Sequence, residues 1–193
     1  MNYQIDRRLY IYFIHHLQTG IMINYDLKLV KAVIFDVDGV LSKQTITLGQ
    51  DGEPQRTVNI KDGYAMQYAV KCGLHLAILS GAKTESLRSR YERLGIQDIV
   101  LGADVKIRFY EEFKSNYKLQ DNNIIYVGDD IPDFEVMNKC GLPCCPSDAA
   151  YEIKAVSKYI STVNGGEGVA RDIIEQVLKA QGMWMKDNTA FGW

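Results

Sequence analysis

Ala32-Val33-Ile34-Phe35-Asp36-Val37-Asp38-Gly39-Val40-Leu41-Ser42 decides the fold. The run from Ala32 to Phe35 is apolar, too brief for a helix and bounded by polar residues, which is the pattern of a buried strand in a parallel sheet. That strand delivers Asp36 and Asp38 to its carboxyl end, where open α/β sheets bind ligands. Gly39 lets the backbone turn tightly, with its N–H free to face an anion. Two carboxylates at the mouth of an apolar strand repel each other and lose hydration, which is costly unless a cation or substrate uses them. A lone Asp here would read as a turn cap.

Further strands are expected at Leu74 to Leu79, Ile99 to Leu101, Ile124 to Val127, Leu142 to Cys145 and Tyr159 to Thr162. Helices fall between them. One runs from a cap at Asp62 to Cys72 and stops at Gly73. A second opens at Thr84 and Glu85, with Leu87, Tyr91 and Leu94 on one face. A third follows a cap at Asp104, a short one passes through Phe134 and Met137, and the last spans Glu167 to Ala180. Strands alternating with helices imply an α/β fold with a doubly wound parallel sheet. Residues 44–60 carry two β-branched runs around Gly49-Gln50-Asp51-Gly52-Glu53, a β-hairpin pattern. An isolated hairpin is marginal in water, so it should pack on something. The chain between Ser42 and Ser80 is too short for a separate cap domain.

The 193 residues carry a formal net charge of −2, fit one domain, and show no basic stripe for nucleic acid. No apolar run reaches the roughly 18 residues of a membrane helix. Cys72, Cys140, Cys144 and Cys145 form no C-x-x-C pair and read as reduced thiols of a cytoplasmic protein. Residues 1–23 form an N-terminal extension outside the fold, the domain occupies 24–181, and 182–193 is a tail. That tail holds Met183, Trp184, Met185, Phe191 and Trp193, more apolar surface than a solvated terminus carries, and is expected to dock on a neighbouring subunit.

Asp36-Val37-Asp38-Gly39-Val40 resembles the first motif of the haloacid dehalogenase-like phosphohydrolase superfamily. Leu79-Ser80-Gly81 is similar to its second motif, Lys106 to its third and Gly128-Asp129-Asp130-Ile131-Pro132-Asp133 to its fourth. Asn59-Ile60-Lys61-Asp62-Gly63-Tyr64 and Gly165-Gly166-Glu167-Gly168-Val169-Ala170-Arg171 narrow the resemblance to the 3-deoxy-D-manno-octulosonate 8-phosphate phosphatase family, of the capless class, over about residues 24–193. The resemblance implies removal of phosphate from a phosphorylated eight-carbon sugar acid, in a homotetramer with active sites at subunit boundaries. One departure stands out: the family often has Arg directly after the second-motif glycine, where this chain has Ala82 and then Lys83. The nine-carbon sugar acid 9-phosphate is the alternative substrate, and a phosphoacceptor signalling module the alternative class.

In this reading Asp36 is the nucleophile that forms an aspartyl-phosphate. Asp38 protonates the leaving oxygen and later deprotonates water. An anionic nucleophile approaching an anionic ester calls for Mg²⁺, held by Asp36, the Asp38 carbonyl and Asp129, with Asp130 and Asp133 orienting ligands. Ser80, the Gly81 N–H and Lys106 bind phosphate oxygens. Lys61 and Lys83 are the expected substrate-binding cations.

Overall fold

A computed structural model describes residues 22–50 and 52–192. Of the expected extension over residues 1–23, residues 1–21 lie outside the described residues, and its inner bound is corrected by Ile23. Ile23 is already buried, and its N–H donates to the Gln176 side chain at 3.1 Å.

In chain order the elements are β1 (Ala32–Phe35), β2 (Thr47–Leu48), β3 (Pro54–Gln55), α1 (Ile60–Lys71), β4 (His75–Ser80), α2 (Glu85–Glu92), β5 (Asp98–Leu101), α3 (Lys106–Asn116), β6 (Ile124–Val127), α4 (Phe134–Lys139), β7 (Leu142–Cys145), α5 (Tyr151–Val156), β8 (Tyr159–Ile160) and α6 (Val169–Ala180). The main sheet is parallel and ordered β5-β4-β1-β6-β7-β8. β2 and β3 form a separate antiparallel hairpin between β1 and α1.

Side chains on successive strand residues point to opposite faces. Val33, Phe35, Ile78 and Val127 therefore pack with Met66 of α1, Tyr91 of α2 and Val177 of α6. Ile34, Leu79 and Tyr126 pack on the opposite face with Phe113 of α3, Met137 of α4 and Ile153 of α5. β1 is central and covered on both faces, so all four of its residues are buried. Each Ile34- or Phe35-sized side chain there contributes about 1.5–3 kcal/mol.

Three local expectations are corrected. The second hairpin strand is Pro54–Gln55, and residues 56–59 carry no strand. α1 is capped by Asn59, whose Oδ1 accepts from the N–H groups of Lys61 and Asp62 at 2.9 and 3.3 Å; Asp62 lies inside the helix. α3 starts at Lys106 with Val105 in the cap position and no side-chain cap, so Asp104 is not its cap. α5, six residues long with Ile153 as its one buried residue, lacks the apolar pair that marked α4 and was not expected.

The tail differs as well. Its Met183 and Trp184 pack against the chain's own core, and Ala190 is buried. Tyr68 of α1 donates to the Met183 carbonyl at 2.9 Å, and Trp184 stands edge-on to Tyr64 and Tyr68 at 6.2 and 5.8 Å. Much of the apolar surface expected to seek a neighbouring subunit is covered within one chain, although Met185 and Phe191 remain exposed.

Candidate active site

Strand register assembles the site. Phe35 is level with Ile78 on one side and Val127 on the other. The chain segments leaving β1, β4 and β6 therefore emerge together, carrying Asp36, Ser80 and Asp129. The Asp36 N–H bonds the Val127 carbonyl at 2.9 Å, extending the ladder one residue past the strand.

Carboxylate oxygens of Asp36, Asp129 and Asp133 lie within 4.8 Å of one another, and all three residues are buried. Lys106 is set among them. Its Nζ is 3.0 Å from Asp36 Oδ1 and 2.7 Å from Asp133 Oδ1. A cation at a helix N-terminus is locally unfavourable, and burial also works against its charge. The two carboxylates outweigh both, so Lys106 is held above its ordinary range.

Asp133 is the organiser. Its Oδ1 also accepts from Tyr126 at 2.6 Å, and its Oδ2 accepts the Asp129 N–H at 3.0 Å. Asp36 and Asp129 are less compensated. Burial first, then Asp133, pushes Asp36 up against the pull of Lys106. Burial first, then Asp36, pushes Asp129 up to about 8. Three buried carboxylates facing one ammonium leave a surplus of negative charge, and hard oxygen donors of this kind fit Mg²⁺.

Glycines make the crowding possible. Gly39 has φ +85°, and a Cβ there would meet Asp129 Oδ2 at 1.9 Å. Gly165 and Gly166 press onto the same turn: a Cβ on Gly165 would lie 2.0 Å from the Gly39 carbonyl, and the Gly166 N–H bonds the Val40 carbonyl at 2.8 Å. The Asn59 amide reaches the Gly166 carbonyl at 3.4 Å, and Asp62 accepts the Arg171 N–H at 2.6 Å. The motifs at 59–64 and 165–171, about a hundred residues apart in sequence, thus meet in space.

The remaining expected residues divide. Ser80 is buried with its Oγ accepting the Ala82 N–H at 3.1 Å, while Gly81 and Asp130 are exposed. Lys61 is exposed in the first turn of α1, and the exposed Lys83 lays its stem beside Gly102. Neither of these lysines lines the cavity of about 490 Å³ over the acidic cluster, which Gln44 and Asp148 do line. Arg56 was also missed: it grips Asp38 through Nε at 2.6 Å and Nη2 at 2.9 Å. No local pattern marks it, because it follows the hairpin and is 18 residues from its partner.

Comparison with known proteins defines the class first. The haloacid dehalogenase-like hydrolase family matches residues 98–173. The chain is 33% identical over 153 residues to the 3-deoxy-D-manno-octulosonate 8-phosphate phosphatase of Escherichia coli, covering 79% of this chain and 81% of that one. It superposes on the corresponding enzyme from Yersinia pestis with TM-score 0.79 and 30% identity, over 82% of this chain and 85% of that one. The Moraxella catarrhalis enzyme, crystallised with magnesium, phosphate and the KDO molecule, gives TM-score 0.78 at 30% identity, over 81% and 90% of the two chains. The chain belongs to the 3-deoxy-D-manno-octulosonate 8-phosphate phosphatase family of haloacid dehalogenase-like hydrolases.

Proposed function

We propose that this chain hydrolyses 3-deoxy-D-manno-octulosonate 8-phosphate through an aspartyl-phosphate on Asp36. The observation that carries this reading is the buried Asp36–Lys106–Asp133 triad beside Asp129 at the carboxyl end of β1. Its Val37 and Lys106 contacts both fall on Asp36 Oδ1 and do not involve Oδ2. In the first half-reaction an Asp36 oxygen bonds to phosphorus. Asp38 gives its proton to the bridging oxygen as the P–O bond to the sugar breaks. In the second half-reaction Asp38 takes a proton from water, whose oxygen bonds to phosphorus and frees Asp36. Lys106, Ser80 and the Gly81 N–H hold the phosphoryl oxygens. Asp36, Asp129 and the Asp38 carbonyl would hold Mg²⁺, which when bound neutralises charge between nucleophile and ester.

The magnesium, phosphate and KDO in the Moraxella complex support this substrate and cofactor. We read the assembly as a homotetramer, supported by Leu48, Val58 and Ile60, apolar side chains left exposed at and beside the hairpin. Lys61 lies next to this surface and would reach a neighbouring subunit's site. Four free cysteines support a reducing, cytoplasmic setting. Among the described residues no helix is long and apolar enough to cross a membrane.

The deciding experiment is kcat/KM with Mg²⁺ over a panel of eight-carbon, nine-carbon and hexose phosphates. The eight-carbon ester is expected to lead. Comparable hexose phosphate rates would defeat the sugar-acid assignment, and a leading nine-carbon ester would replace it. EDTA and Asp36→Asn should each abolish turnover, the latter by about 10⁴-fold or more. Light scattering should give about four chain masses, and a monomer would refute the tetramer.

A further inference from the structure

We propose that Arg56 is a positioning residue for phosphoryl transfer, one that sets the Asp38 carboxyl at the point where the leaving oxygen departs. The inference rests on the phosphatase reading above and adds a residue to it.

Asp38 projects from the turn after β1, and its side chain is 35% exposed on the rim of the cavity. A short carboxylate there rotates freely unless something holds it. Arg56 does so with a planar fork, Nε to Oδ1 at 2.6 Å and Nη2 to Oδ2 at 2.9 Å. Two parallel N–H···O bonds fix the plane of a carboxylate as well as its position. The third nitrogen of the guanidinium, Nη1, donates to Thr84 Oγ1 at 3.1 Å. Arg56 therefore ties together the hairpin base, the turn after β1 and the start of α2, just past Ser80 and Gly81. Its side chain is only 9% exposed. An exposed ion pair contributes little to stability, and a buried one often breaks even against apolar packing. The geometry is thus better explained by orientation than by stability.

The fork suits both halves of the reaction. It accepts the carboxylate form of Asp38 that takes a proton from water. When Asp38 carries the proton it will give to the bridging oxygen, one N–H···O contact opens. The other contact, with the guanidinium anchored on Thr84, keeps the carboxyl aimed.

The test uses leaving-group dependence. kcat/KM covers steps only through departure of the alcohol, so it isolates the protonation of the bridging oxygen from hydrolysis of the aspartyl-phosphate. An alkyl phosphate needs that proton, whereas p-nitrophenyl phosphate, with its stable phenolate, does not. The alkyl probe is the ester turned over fastest in the sugar phosphate panel. Wild-type hydrolysis of the aryl ester reports on the phosphatase reading by itself, and the alkyl-to-aryl ratio reports on Arg56. Arg56→Gln is expected to lower that ratio by about 30-fold, a part of the roughly 10²–10⁴-fold that a positioned acid supplies, because Asp38 itself remains. Arg56→Lys should recover part of the loss, since an ammonium lacks the fork. Thr84→Val removes only the outer anchor and should lower the ratio by about 3-fold; it decides the matter if the Arg56 variants do not fold. A ratio unchanged in these variants, with both substrates falling together or neither falling, overturns the proposal.

Discussion

At the carboxyl end of the sheet, Asp133 is wholly buried and both its oxygens are occupied, by Lys106, Tyr126 and the Asp129 N–H. At the junction of α1 and α6, Asp62 is buried almost as deeply. One of its oxygens accepts the Arg171 N–H, and the other has no hydrogen-bond partner among the described residues. The first aspartate is compensated by donors that are themselves part of the site, so its burial positions other charges. The second joins two helix starts, and its desolvation is only partly answered. Burial, partly opposed by Arg171, therefore pushes it up to about 6. Buried acid alone does not identify a functional group; the donors around it, and what those donors also hold, make the distinction.

The largest expected effect lies on the compensated side. Asp133→Asn leaves Lys106 with one carboxylate and replaces an acceptor of backbone N–H groups, and should cost about 3–5 kcal/mol by urea denaturation. A loss below about 1 kcal/mol would mean that the cluster does not depend on this residue, and the contrast with Asp62 would fail.

The uncompensated side should show itself in pH. Asp62 binds its proton more tightly folded than unfolded, since its value rises from 3.8 to about 6. Its contribution to stability is greatest below the unfolded value, falls as pH rises through the window between the two, and is level above it. Two units correspond to about 3 kcal/mol at most. The stability difference between wild type and Asp62→Asn, followed from about pH 3.5 to 7 by chemical denaturation, should therefore shift in favour of the variant as pH rises. A flat difference would show that Asp62 is solvated.

The smallest effect concerns the tail beside Asp62. Trp184 lies 4.6 Å from the Arg171 guanidinium and edge-on to two tyrosines. Trp184→Ala should cost about 2 kcal/mol at any protein concentration. A cost that vanishes on dilution would instead put the tail on a second copy.

The sheet was legible because its strands are buried runs: Ile124 to Val127 and Leu142 to Cys145 have the expected bounds. Asp36, Asp129, Asp133 and Lys106, named from their motifs, converge because register forces the strand ends together. Caps were less legible. Asp62 and Asp104 have favoured cap chemistry, but Asn59 closes α1 first, and α3 begins where Lys106 finds its two carboxylates. Arg56 was illegible because its meaning lies in a long-range contact from an irregular segment. Lys61 and Lys83, chosen as cations near the motifs, stand outside the acidic cavity of a single chain.

The glycines at 165 and 166 carry one more consequence. They hold the approach to α6 flush against the turn bearing Asp38, so neither surface can thicken without displacing the other. The hairpin tip around Gly52, where an added Cβ meets nothing within 4 Å, has no such constraint. Insertions at residues 52–54 should therefore leave folded members far more often than insertions at 164–168.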